Sequence, residues 1–398
     1  MSGANFLLGI LLARQLGLEA FGTYVFLWAG AQFGQSIQNA LIISPMQTTA
    51  PKFSGEVQAR YLSSTKIQII AFACVSGIAS ISIANIATSH ISFWESSFNL
   101  PLAAWVTSCQ LQEGARRINL TIGKPTRALL TDILGIPTTA LVLMCSMLAG
   151  SGLNLHAALW LTSGTQFISA LVGGIAAFSI KEPNEYKRDL ALHWKIAKWL
   201  LPSAILQWLC GNFFLVSAAP LLGTAVTGAI RAAQNLLAIT HILFQALENV
   251  IPSRAARIYA QSGLVHLRQY CWKIGLSVTG FAICLGVFAA LFSQQILNFL
   301  YKTNAGLSAT AIIWYVPVYV ILSLTFAPKT ILRVTGNTRP IFVGYASAAL
   351  ISILIAKPMI TKLGLHGVMA GILLSNLLIA APQLLAAIAI TKNHQNER

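Results

Sequence analysis

The chain has 398 residues, of which 56% are hydrophobic and only 9% charged, and its formal net charge is +16. A soluble domain carries about 25% charged residues, so lipid must cover much of this surface, and a soluble enzyme or nucleic-acid-binding domain is excluded. Apolar stretches of about 20 residues between short polar links predict membrane helices, and the alternating ten-residue segments of a transmembrane barrel are missing.

Twelve helices are predicted in chain order, near 1–16, 20–46, 63–89, 98–121, 126–150, 154–181, 192–218, 224–254, 267–292, 305–333, 338–357 and 364–391. Met1 to Leu12 has no basic n-region and no small-x-small cleavage site, so it reads as part of a first span rather than a signal peptide. The longest polar connection, Lys181 to Lys198, divides the chain into an N-terminal lobe (1–181, six helices), a cytoplasmic linker (182–198) and a C-terminal lobe (199–398, six helices). Loops after the even-numbered helices, with the C-terminus, hold 21 Lys and Arg, whereas the opposite loops hold 4. By the positive-inside rule both termini are then cytoplasmic.

An internal repeat links the halves. Asn5-Phe6-Leu7-Leu8 recurs as Asn212-Phe213-Phe214-Leu215, and Leu16-Gly17 with Gly22 recurs as Leu222-Gly223 with Gly228. Pro45 recurs as Pro252, and the Gly123–Arg127 segment as Gly336–Pro340, at offsets of 206 to 213 residues. The offset covers an even number of helices, so the two lobes share one membrane orientation, as in parallel-repeat transporters that hold substrate between lobes. Helix 7 runs about 17 residues before Asn212 whereas helix 1 has four before Asn5, so either the chain start is placed too late or helix 1 is truncated to about half a span.

Polar residues inside the spans are the functional candidates. In helix 8, Arg231, Gln234, Asn235, His241, Gln245, Glu248 and Asn249 share one face, and in helix 2 Gln32, Gln35, Ser36 and Asn39 form the matching stripe. Such faces line a hydrated path or serve as interhelical hydrogen-bond glue. Arg231 either meets an anion, for which a pyrophosphate suits the guanidinium fork, or snorkels or pairs with a carboxylate. Arg14 joins it or anchors helix 1 at the interface. Asp132 and Glu248 are ion-coupling candidates or partners of Arg127 and Arg254, and Glu113 is expected to pair locally with Arg116 and Arg117. The six cysteines form no CxxC pair and read as small core residues. No catalytic, cofactor or metal motif is recognisable: GxSxG, HExxH, P-loop and Rossmann patterns are all missing.

The stretch Gly9-Ile-Leu-Leu-Ala-Arg-Gln-Leu-Gly-Leu-Glu-Ala-Phe-Gly-Thr-Tyr24 resembles the Ala-Arg-x-Leu-Gly-x-x-x-Phe-Gly-x-Tyr signature of polysaccharide flippases. These belong to the multidrug/oligosaccharidyl-lipid/polysaccharide exporter superfamily, and Leu222-Gly-Thr-Ala-Val-Thr-Gly228 echoes their Leu-Gly-x-x-x-x-Gly turn. The resemblance implies a bacterial inner-membrane protein that carries undecaprenyl-pyrophosphate-linked oligosaccharide to the outer leaflet by alternating access. It implies a V-shaped bundle with helices 1, 2, 7 and 8 around a cationic cavity, with membrane lipids and polysaccharide-assembly proteins as partners. On this reading Arg231, Arg14, Gln234, Asn235, Gln245, Gln35 and Asn39 contact substrate. The alternatives are a cation-coupled multidrug antiporter of the same superfamily, resting on Asp132, and a non-transporting membrane scaffold.

Overall fold

The computed structural model describes residues 2–90, 93–150, 152–177, 183–301 and 306–396; side chains at 2–3, 87–90, 183–185, 238–239, 241–242, 245–246, 248–250, 253 and 391–396 fall outside the description. Every described element is helical and no strand occurs among the described residues. In chain order the helices are α1 (Ser2–Gln38), α2 (Ser44–Thr49), α3 (Gly55–His90), α4 (Asn99–Thr121), α5 (Pro125–Leu134), α6 (Ile136–Leu148) and α7 (Leu155–Val172). Then follow α8 (Pro183–Leu222), α9 (Thr224–Leu236), α10 (Ala238–Leu291), α11 (Ser293–Tyr301), α12 (Gly306–Leu324), α13 (Phe326–Val334) and α14 (Arg339–Asn396).

Seven stretches among the described residues are long and apolar enough to cross a membrane, and two of them, Ala4–Lys52 and Arg339–Ile390, run 49 and 52 residues. At about 1.5 Å per residue each is roughly twice a hydrocarbon core, and each is broken by a glycine. Gly17, Gly263 and Gly364 interrupt α1, α10 and α14, and Gly223 separates α8 from α9. Read at these breaks, the described chain forms twelve rods: 2–16, 18–52, 55–90, 99–121, 125–148, 155–172, 183–222, 224–262, 264–301, 306–334, 339–363 and 365–396. The protein is thus an all-α, multi-pass integral membrane protein.

The breaks also carry the repeat. Gly17 (φ 75°, ψ 171°) and Gly223 (φ 90°, ψ 159°) occupy the same backbone region, one essentially closed to residues with a Cβ. Eight of the nine positive-φ glycines among the described residues pair, Gly17 with Gly223, Gly55 with Gly263, Gly123 with Gly336, and Gly150 with Gly364, while Gly174 has no counterpart. The second pair sits in a shared stretch, Ser54-Gly55-x-Val57-x-x-Arg60 recurring as Ser262-Gly263-x-Val265-x-x-Arg268, whereas the fourth has no such match around it and only the backbone reveals it.

The chain divides into two compact units, Met1–Trp208 and Leu209–Arg398. In unit 1 small and polar residues let helices approach closely, the packing mode expected in lipid. Gly77 of α3 lies against Thr107 of α4, and Gly114 of α4 lies under Ile69. Hydroxyl and amide pairs tie the helices: Ser108 to Ser163 at 3.1 Å, Thr139 to Thr165 at 2.6 Å, and Ser169 Oγ to the Thr131 carbonyl at 2.6 Å. Asn119 Nδ2 donates to the Gly173 carbonyl at 2.9 Å, satisfying the C-terminal end of α7. In unit 2 the glycines Gly275 and Gly286 of α10 admit Ala327 and Val316, and Ser352 meets Ser375 at 2.8 Å across the hairpin that α14 makes at Gly364.

The segment 182–198, expected as a linker, is helical from Pro183 and continues without a break into the span, so that α8 is 40 residues long. Asp189, His193 and Ala197, spaced one turn apart, are buried, and His193 is held between Tyr61 and Gln68 of α3. Further along, Trp208 Nε1 donates to the Ala29 carbonyl at 3.1 Å. These contacts place the first part of α8 in unit 1.

Candidate functional site

Gly223 ends α8 and aims α9. Ala229, Ile230, Ala232 and Ala233 bury the packed side of α9, which leaves Arg231, two turns in, half-buried. Arg231 Nη1 donates to Gln234 Oε1 at 2.7 Å. Asn235 is buried, and the Tyr301 hydroxyl reaches the neighbouring Ala232 carbonyl at 3.5 Å.

Two further tyrosines complete this cluster. Tyr315 and Tyr319 of α12 flank Pro317, their ring centroids 6.0 Å apart. Both are buried, and both lie within electrostatic range of Arg231, as does Tyr301. Phe244 of α10 packs on Tyr319 at 6.4 Å. Sequence reading brought Arg231, Gln234 and Asn235 together correctly as neighbours on one helix. It missed the tyrosines, because an aromatic residue in an apolar run reads as lipid- or core-facing; their spacing of four, on one face of a proline-containing helix, was the available signal.

The chemistry of the cluster is one-sided. It combines a guanidinium, phenolic hydroxyls and side-chain amides, groups that together offer many N–H and O–H donors. Between Asp189 and Glu397 the only acidic residue is Glu248. The side chains of Gln245 and Glu248, like those of His241 and Asn249, lie outside the described residues.

The remaining candidates belong to unit 1. Arg14 is half-buried on the first rod of α1, next to Gln15, whose Nε2 donates to the Leu143 carbonyl at 3.1 Å. Gln35 is half-buried and Asn39 exposed. Between them the helix changes character: Asn39–Ile43 is a π-helical turn, which shifts the helical phase and ends the polar stripe. Gln38, outside that stripe, is instead fully buried and donates Nε2 to the Gln110 carbonyl at 3.1 Å. Gly34 leaves the room that the Gln110 amide occupies.

The charged cluster of α4 and α5 is more ordered than expected. Glu113 accepts from Arg116 Nη2 at 2.7 Å and from Arg117 Nε at 2.6 Å, the local pairing expected for it. Asp132 finds its ion partner in Arg116 at 3.7 Å, whereas the Arg127 of its own helix is exposed. It sits three residues before Gly135, where the fifth rod breaks between α5 and α6.

Comparisons with known proteins agree with this architecture. Residues 201–357 match the MatE family model. No curated protein sequence matches the chain. The fold is similar to that of the lipid II flippase MurJ in an inward closed conformation, with a TM-score of 0.74 at 13% identity, covering 97% of this chain and 85% of that one. It is similar also to an inward-facing multidrug resistance MATE family transporter of the MOP superfamily, with a TM-score of 0.76 at 13% identity over 98% and 95% of the two chains. A third similar structure is a MOP superfamily transporter from Pyrococcus furiosus described as having a binding pocket of reverse polarity, with a TM-score of 0.60 at 17% identity over 97% and 91%. The chain therefore has the fold of MOP-superfamily transporters.

Proposed function

We propose that this protein is a flippase that moves undecaprenyl-pyrophosphate-linked oligosaccharide from the inner to the outer leaflet of a bacterial inner membrane by alternating access. The observation that carries the reading is the donor-rich cluster of Arg231, Gln234, Asn235, Tyr301, Tyr315 and Tyr319. Guanidinium and phenol groups held in a low-dielectric setting suit a pyrophosphate, and a region with one acidic residue suits a cationic drug poorly. The fold likeness to a lipid II flippase supports the same direction.

In this mechanism the sugar and pyrophosphate enter from the cytoplasmic side and Arg231, with Arg14 from the first half, neutralises the phosphates. Gln35, Asn39, Gln234, Asn235 and Gln245 wet the glycan path, and the polyprenyl tail stays in lipid. The halves (1–181 and 199–398) rock to expose the cargo outward, both termini remaining cytoplasmic, and polysaccharide-assembly proteins supply and consume the cargo. Complementation of a flippase-deficient bacterium tests it: wild type restores surface glycan and Arg231→Ala does not. Equal restoration by both would remove the anion site.

The second reading is a cation-coupled multidrug antiporter. It is favoured by the MatE match over residues 201–357 and by Asp132 beside a helix break. Here Asp132 or Glu248 exchanges the cation, and drug efflux is lost in Asp132→Asn but kept in Arg231→Ala.

A further inference from the structure

The outward side of the first part of α8 points to a second ligand. Asp189, His193 and Ala197 are buried on one side of this helix, and His193 ties it to α3: the Tyr61 hydroxyl donates to His193 Nε2 at 2.6 Å, and His193 Nδ1 donates to Gln68 Oε1 at 2.7 Å. The opposite side carries Lys187, Trp194, Lys195, Lys198 and Trp199, all exposed, with Trp194 at 57% and Trp199 at 76%. Lys198 Nζ stands 5.7 Å from the Trp199 ring centroid. Arg188 is exposed too, but lies 3.6 Å from the buried Asp189 carboxylate, which is the only acidic residue between Tyr186 and Leu222.

Depth identifies the partner. The helix ends at the Gly223 turn and is 40 residues long. About 20 residues cross a hydrocarbon core of about 30 Å, so a span counted back from Leu222 ends near Pro202. Residues 194–199 then fall in the headgroup layer, where Trp partitions and where lysine meets lipid phosphate. One exposed side of a helix, at headgroup depth, thus holds two lysines between two tryptophans and no exposed carboxylate.

We propose that Lys195 and Lys198, framed by Trp194 and Trp199, form a binding site for anionic phospholipid headgroups of the leaflet on that side. The tryptophans set the depth and pack against glycerol and upper acyl chain; the ammonium groups take the phosphodiester, and Lys187 extends the positive field outward. Zwitterionic headgroups fit less well because their own cation opposes the lysines. The site is independent of Arg231 and of whatever the protein transports.

The full-length protein, reconstituted in phosphatidylcholine vesicles with and without phosphatidylglycerol, provides the test. Either lipid is brominated near the headgroup at equal mole fraction, and quenching of Trp194 and Trp199 is taken as the difference between wild type and the W194F/W199F variant. Brominated phosphatidylglycerol is expected to quench this component more than brominated phosphatidylcholine, in line with about fivefold local enrichment per lysine at low salt. The preference is expected to vanish in K195Q/K198Q and to persist in K195R/K198R. Equal quenching by the two lipids in wild type, or an undiminished preference in K195Q/K198Q, would overturn the proposal.

Discussion

Arg231 donates to the side-chain oxygen of Gln234 at 2.7 Å, one turn along the same helix. The contact engages one N–H of a guanidinium that carries five donors. If the cluster binds phosphate, Arg231→Ala removes a charge-assisted bond worth about 1.5–3 kcal/mol, lowering flipping of a fluorescent pyrophosphate-linked lipid in proteoliposomes by about tenfold or more at limiting substrate. Arg231→Lys is expected to recover only part of this, because a lysine keeps the charge and loses the planar fork. Gln234→Leu, which frees the arginine without removing charge, is expected to cost less than Arg231→Ala.

The tyrosines give a finer test. Tyr315→Phe and Tyr319→Phe each remove one oxygen and leave the packed ring in place, with the Tyr315–Tyr319 contact intact. A neutral hydrogen bond contributes about 0.5–1.5 kcal/mol, so each change is expected to weaken binding of a pyrophosphate-linked lipid by a few-fold, with the thermal midpoint nearly unchanged. Transport unaltered in the double Phe variant would leave Arg231 without these partners.

The turn glycines separate conformational need from simple helix propensity. Gly17 and Gly223 hold a backbone conformation that only glycine enters at low cost, and Ala at either position is expected to destabilise the protein by about 1–3 kcal/mol. Gly211 lies inside α8, with open space around an added Cβ. Gly211→Ala is therefore expected to stabilise by about 0.5–1 kcal/mol. Thermal unfolding in detergent, read by tryptophan fluorescence, should shift in opposite directions for the two kinds of variant.

How far the sequence carried the description differs by scale. Helices were legible because a lipid-facing span must be apolar over its whole length, and their ends were legible where Gly17, Gly223, Gly123 and Gly336 kept similar neighbours. Gly150 with Gly364 was not, since a shared positive φ leaves no trace in dissimilar flanking residues, whereas Gly55 and Gly263 share Ser-Gly-x-Val-x-x-Arg, a signal the repeat reading passed over. Arg231, Gln234 and Asn235 were found because charge and amides stand out in an apolar run. Tyr301, Tyr315 and Tyr319 were not, because a tyrosine does not. Gln38 escaped for another reason: it stands off the face shared by Gln32, Gln35 and Ser36, and a single amide outside a polar stripe carries no periodic signal. The 182–198 segment read as a linker by its charge, although its Asp189, His193 and Ala197 already had helical spacing.

The two carboxylates near Arg116 should contribute to stability to different degrees. Glu113 receives bonds from both Arg116 and Arg117, and its side chain is 19% exposed. Glu113→Gln leaves two partly buried guanidinium groups poorly compensated and is expected to lower stability by about 1.5–3 kcal/mol. Asp132 lies 3.7 Å from Arg116 Nε, which already donates to Glu113 at 2.9 Å, so Asp132→Asn is expected to lower it by about 1 kcal/mol or less. An Asp132→Asn protein that folds normally yet loses ion-driven transport would assign coupling to this carboxylate.

His193 offers the clearest view of how α8 is secured. Its two ring nitrogens are both used, by the Tyr61 hydroxyl at 2.6 Å and by Gln68 at 2.7 Å, and the ring is 1% exposed. His193→Ala removes both bonds, strands polar atoms of Tyr61 and Gln68 in a buried setting, and opens a cavity. Each stranded group costs about 1–3 kcal/mol, so the loss should exceed that of Tyr61→Phe, which deletes one bond and leaves one nitrogen without a donor. His193→Gln, able to donate and accept at similar reach, should restore part of the difference. Limited proteolysis checks the local meaning: cleavage at the exposed Lys187 and Lys195 should accelerate in His193→Ala well before global unfolding. Unchanged cleavage would mean that the apolar contacts of Ala197 and its neighbours hold the helix without the histidine.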